Sequence, residues 1–77
     1  MPHVTIKHFP YDLTEPQKAE LAEELTRTIT RFFEVDDGAV SVAVEPVAQA
    51  DWNDRVVSPE LVLRAHLLIK NPTYLTS

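Results

Sequence analysis

The sequence predicts an α+β domain built as strand, long helix, strand, with a second helix at the carboxyl-terminal end. Three observations carry this. Residues 3–9 alternate in polarity, with Val4 and Ile6 on one face and His3, Thr5 and Lys7 on the other, as a half-buried strand requires. Leu21, Leu25, Ile29 and Phe32, flanked by Ala22 and Phe33, recur at helical spacing while Glu20, Glu23, Glu24, Arg27 and Arg31 fall mostly elsewhere. Residues 39–45 are small and β-branched, with Val40, Val42 and Val44 on one face.

Each element has a physical start and stop. Phe9 and Pro10 end the first strand. Thr14 followed by Gln17 forms a capping-box pattern, and Pro16 fits a first helical turn, where its missing N–H has no intrahelical partner, so the helix is predicted to start near residue 15. Glu23 and Arg27 make an i,i+4 pair in the favourable orientation. The acidic segment 34–37 leads to Gly38, the single glycine in the chain, which is expected to take a turn conformation that other residues resist. A helix between two strands makes a βαβ unit, so the strands are expected to run parallel with a right-handed crossover. Residues 46–57 read as a polar loop carrying Trp52 and Arg55. Ser58 as N-cap with Pro59 at the first helical position then opens the second helix, whose apolar face is Leu61, Val62, Ala65, Leu68 and Ile69, and which Asn71 and Pro72 stop.

The 77 residues are read as one domain, 1–77, in a size range where only about 60% of the unfolded surface is buried. Two strands are too few to stand alone in water, and with no cysteine to form disulfides the expected remedy is symmetric assembly that completes the sheet. Twelve acidic against seven basic residues, a formal charge of −5, argue against nucleic acid or an anionic membrane surface as partner. Apolar runs of three or four residues provide neither a membrane span nor a secretory signal, so a cytoplasmic protein is expected.

Most familiar chemistry is missing. One glycine cannot make a phosphate-binding loop. His3 and His8 are five apart on a strand and point to opposite faces, and His66 stands alone, so no metal site is expected. Ser41, Ser58 and Ser77 lack a nucleophile-elbow context.

Pro2 is the exception. At the head of a strand it is tolerated because its nitrogen need not donate to the ladder. With Met1 removed, that nitrogen would be a secondary amine. An α-amino group begins near 7.7–8.0, close to neutrality, and an apolar enclosure that penalises the cation lowers it further, which suits a general base. While Met1 is attached, the nitrogen is an amide and has no such basicity.

Met1-Pro2-His3-Val4-Thr5-Ile6-Lys7, Phe9-Pro10 and Thr14 to Leu21, together with the valine-rich second strand, Trp52 and the tail from Ile69 to Tyr74, resemble the 4-oxalocrotonate tautomerase family, nearest its short bacterial branch linked to phenylpyruvate tautomerisation. The resemblance implies a β-α-β fold, loss of Met1, and Pro2 as the base that carries a proton between oxygen and carbon of a small enol or keto acid. It implies no cofactor, and assembly as a homodimer, with a hexamer as the alternative.

Two departures shape the expected substrate. The best-studied members of the family hold a dicarboxylate with one arginine just after the first strand and another within the second. The Tyr11-Asp12-Leu13 segment and Ser41 stand in those places here. A diacid therefore loses its clamp, and an aromatic or monocarboxylate enol fits better. Trp52 matches the family's pocket aromatic, or else packs in an oligomer interface. Arg55 either binds a single carboxylate or is a solvated cation. Tyr11 either donates a hydrogen bond to an enolate oxygen or packs beside Pro10. With Ser41, these are the candidate substrate-binding residues. Two other readings remain: an oligomeric binding or scaffold protein that kept the fold without the activity, and hydration or dehalogenation of an unsaturated acid, for which Glu45 is the acid near a strand end.

Overall fold

The computed structural model describes residues 1–75; Ser77 lies outside the described residues. The chain divides into two compact units, the first ending at Pro46 and the second beginning at Val47.

The first unit is a βαβ arrangement. Strand β1, His3–His8, and strand β2, Ser41–Pro46, pair in parallel, with His3 opposite Ser41 and His8 opposite Pro46. Between them runs α1, Glu15–Phe33. The capping box forms as the sequence predicts: the Gln17 N–H donates to the Thr14 hydroxyl at 3.2 Å, and the Thr14 N–H donates to Gln17 Oε1 at 2.9 Å. These bonds satisfy donors that a helix start otherwise leaves open. Glu23 and Arg27 meet at 2.9 Å on the exposed face.

Helix α1 packs on β2. Val4, Ile6, Val42 and Val44 are half-buried on one sheet face, while His3, Thr5, Ser41 and Ala43 are exposed on the other. The strand alternation predicted from sequence is therefore the one observed. Leu21, Leu25 and Ile29 are half-buried too, but the apolar stripe of α1 overruns its support: Phe32 is 70% and Phe33 64% exposed.

The connection from α1 to β2 differs from expectation. Gly38 does not take the left-handed turn. It lies in a 3₁₀ turn, Asp37–Ala39, and the positive φ falls on Glu34 instead, at φ 55° and ψ 50°. The reason is positional, because the residue that reverses the chain after a helix is the one just past its last turn. The 3₁₀ turn also occupies Ala39, so β2 begins at Ser41 rather than at residue 39.

In the second unit a 3₁₀ turn, Gln49–Asp51, leads through Trp52 into a π-helix, Asn53–Val62, and further 3₁₀ turns follow at Ala65–Leu67 and Thr73–Leu75. The second helix is thus present with shifted bounds. It starts upstream of Ser58, so Pro59 lies inside it and Arg55 is helical rather than in a loop. The Leu63 N–H donates to the Ser58 carbonyl, five residues back, at 3.1 Å. This wider ladder suits an internal proline, whose ring crowds the carbonyl four residues back in an α-helix. Leu61 and Leu68 are half-buried, whereas Ile69 is fully exposed, so only part of the expected apolar face is covered.

Burial is sparse throughout. Val47 and Val56 are the buried hydrophobic residues, and β1 and β2 pair only with each other among the described residues. The two-stranded sheet is not closed. Among the described residues, no helix is long and apolar enough to cross a membrane.

Candidate active site at the head of the parallel sheet

Pro2 sits one residue before β1 and is half-buried. Its carbonyl accepts a hydrogen bond from the Ser41 backbone N–H at 3.2 Å. The first residue of β2 thus fixes the main chain at position 2, while the pyrrolidine ring restricts φ by itself. Met1, ahead of it, is fully exposed. A solvent-accessible residue followed by a tethered proline places the prospective amine on a defined backbone.

Around this point the sheet surface carries a short polar chain. The Ser41 hydroxyl lies 2.6 Å from His3 Nδ1, and the Thr5 hydroxyl 3.0 Å from His3 Nε2. Both imidazole nitrogens are therefore engaged, and the hydroxyls can each donate or accept to match either ring tautomer. The sequence showed these three residues on their strands but not their meeting. Their contact depends on the register, His3 opposite Ser41 and Thr5 two residues on, which strand patterning by itself leaves open.

Tyr11 lies at the other end of the sheet. It lines a cavity of about 330 Å³ with His8, Leu13, Lys18 and Val44 among its walls. His8 Nδ1–H donates to the Phe9 carbonyl at 2.6 Å, which holds the imidazole against the end of β1. Lys18 reaches Glu15 at 3.4 Å, an exposed pair one turn apart on α1. Pro2 and His8 are separated by six residues of extended chain, about 20 Å at ~3.3 Å per residue. Tyr11 therefore lies toward the end of β1 away from Pro2.

Trp52 and Arg55 belong to the second unit. Trp52 is half-buried, and its indole N–H donates to the Tyr74 hydroxyl at 3.2 Å. Arg55 is exposed on the first turn of the π-helix. Ser41 and Pro2 are therefore brought together by the fold of the first unit, Tyr11 is placed at the far end of its strands, and Trp52 gains a partner in Tyr74 that no sequence pattern signalled. Glu45 lies opposite Lys7 in the strand register. Among the described residues, no cluster of three or more His, Asp or Glu side chains could hold a metal ion.

Comparison with known proteins adds a family. A tautomerase enzyme family model matches residues 2–60, beginning on Pro2. Tautomerase PptA of Enterobacter sp. (strain 638) is 45% identical over 74 residues, covering 96% of this chain and 97% of that protein. The proteins of the same name from Pectobacterium carotovorum subsp. carotovorum (strain PC1) and Escherichia coli O139:H28 are 37% identical over 76 residues and 36% identical over 74, with the same coverage.

Proposed function

Because the chain belongs to the tautomerase family and is an isomerase, we propose that it is a cofactor-independent tautomerase of phenylpyruvate-like aromatic or monocarboxylate enols, with Pro2 as its acid and base. The observation that carries this reading is the tether between the Pro2 carbonyl and the Ser41 N–H, which holds the candidate amine at the head of the sheet.

The reaction needs one proton to leave oxygen and one to reach carbon. Neutral Pro2 takes the proton from the enol hydroxyl. As the C=O bond forms, the carbon–carbon π pair takes a proton from the Pro2 ammonium at the adjacent carbon, and the amine is restored. No net oxidation occurs and no co-reactant is consumed. The scheme requires removal of Met1, since the amide nitrogen of an internal proline has no available lone pair of useful basicity.

The remaining roles follow from the residue types. Arg55 binds the single carboxylate, Trp52 supplies an aromatic surface, and the Ser41 hydroxyl hydrogen-bonds substrate beside Pro2. Tyr11, about a strand length from Pro2 in its own protomer, is drawn in as enolate hydrogen-bond donor by a second copy. The reading therefore takes the 77-residue chain as one domain of a homodimer, or alternatively of a hexamer, in the cytoplasm. Exposed Phe32, Phe33 and Ile69 and the unclosed sheet support assembly, since large uncovered apolar surface marks an interaction site.

Two measurements test the proposal together. Intact mass reports whether Met1 has been removed. Ultraviolet monitoring of enol phenylpyruvate ketonisation then compares the processed wild type with Pro2→Ala. A loss of about 10²- to 10⁴-fold in kcat is expected for deleting a general acid–base group. Equal rates in the two proteins would refute the catalytic role and favour the scaffold reading.

A further inference from the structure

We propose that Tyr74 is a positioning residue for Trp52, holding its indole at the angle that sets affinity for aromatic substrates. The inference rests on the tautomerase reading above, in which Trp52 is the substrate's aromatic wall.

Trp52 is bound to the chain at its backbone and held again at the far side of its ring. Its backbone is helical, at φ −58° and ψ −46°, and directly precedes the π-helix; it makes no side-chain cap there. The indole is thus not committed to finishing the helix start. Its N–H, the only hydrogen-bonding group an indole has, donates to the Tyr74 hydroxyl across 22 positions of sequence. The bond is 3.2 Å long and is made from the nitrogen of the five-membered ring.

A stacking surface is useful only at the right tilt, because aromatic pairs favour offset or edge-to-face arrangements over arbitrary ones. Tyrosine suits the task. Its own ring has two side-chain torsions, its hydroxyl accepts from the indole, and the same hydroxyl still has a proton to donate. Tyr74 sits in the 3₁₀ turn Thr73–Leu75, so the carboxyl-terminal segment is what reaches back to set the tryptophan.

The chain has a single tryptophan, so its fluorescence reports this indole and no other. Tyr74→Phe keeps the ring and deletes the acceptor. In the ligand-free, Met1-processed protein, it is expected to shift the Trp52 emission maximum and increase quenching by acrylamide. Unchanged emission and quenching would overturn the inference irrespective of any catalysis. For enol phenylpyruvate, Tyr74→Phe is expected to raise KM on the order of two- to tenfold with kcat retained, the range given by one lost neutral hydrogen bond. A fluorescence change with unchanged KM overturns it as well.

Trp52→Phe removes the N–H and supplies the decisive control. In that background, Tyr74→Phe is expected to have no further effect on KM. An equal effect in both backgrounds shows that Tyr74 acts independently of Trp52 and overturns the inference. Loss of turnover in the wild type itself refutes the catalytic reading instead, and the ligand-free fluorescence then still decides whether Tyr74 holds the indole.

Discussion

Glu34→Gly removes the side chain from the one non-glycine residue with positive φ among those described. Glu34 caps α1 in the left-handed region, at φ 55° and ψ 50°, where a Cβ crowds the following carbonyl at a cost of about 1–2 kcal/mol. Glycine escapes that cost but gives the unfolded chain more freedom, which offsets about 0.4–1 kcal/mol. The net expectation is a stabilisation of about 0.5–1 kcal/mol, with a further few tenths because a carboxylate no longer sits at the negative end of the helix dipole. For a domain of this size, 1 kcal/mol moves Tm by about 4–8 °C, so a rise of about 3–10 °C is expected. The assay is calorimetric or circular-dichroism melting at one fixed protein concentration, because assembly makes Tm concentration-dependent. Glu34→Gln serves as control, since it removes the charge and keeps the Cβ. A Tm for Glu34→Gly at or below wild type refutes the strain argument. So does a full rise from Glu34→Gln, which would assign the effect to charge.

Thr14→Ala deletes the hydroxyl that accepts from the Gln17 N–H, while the backbone N–H at position 14 can still donate to Gln17 Oε1, and it is expected to lower stability by about 1 kcal/mol, measured by denaturant titration; an unchanged midpoint would show that the hydroxyl cap contributes nothing net. Ser41→Ala deletes the hydroxyl beside His3 and leaves the backbone tether to Pro2 intact. It is expected to raise KM for enol phenylpyruvate by about two- to tenfold with kcat maintained. An unchanged KM would confine the Ser41 hydroxyl to supporting His3.

The sequence was most legible where a local rule decides the structure. Thr14 and Gln17 mark the start of α1 because a capping box is completed within four residues, and the alternation of Val4 and Ile6 with His3 and Thr5 fixes two faces without knowledge of any partner. Legibility failed where a rule had two places to act. Gly38 drew the turn prediction as the only glycine, yet helix geometry put the left-handed residue at Glu34. Ser58 and Pro59 have the composition of a helix start, but a helical backbone already established from Trp52 carried Pro59 inside a π-helix.

The site divides in the same way. Pro2 could be singled out as a candidate from its place ahead of the first strand, whereas the contact of Ser41 with His3 needs the strand register, and that of Trp52 with Tyr74 joins residues 22 positions apart. No periodicity spans such a distance. The separation of Tyr11 from Pro2 was in principle measurable from strand length.

The grip on Pro2 comes from an amide shared by every amino acid except proline. Whatever residue stands at position 41, its N–H can still reach the carbonyl of position 2, so the hydrogen-bonding anchor survives nearly any substitution there. Side chains around position 2 are thereby released to diversify while the backbone clasp stays the same.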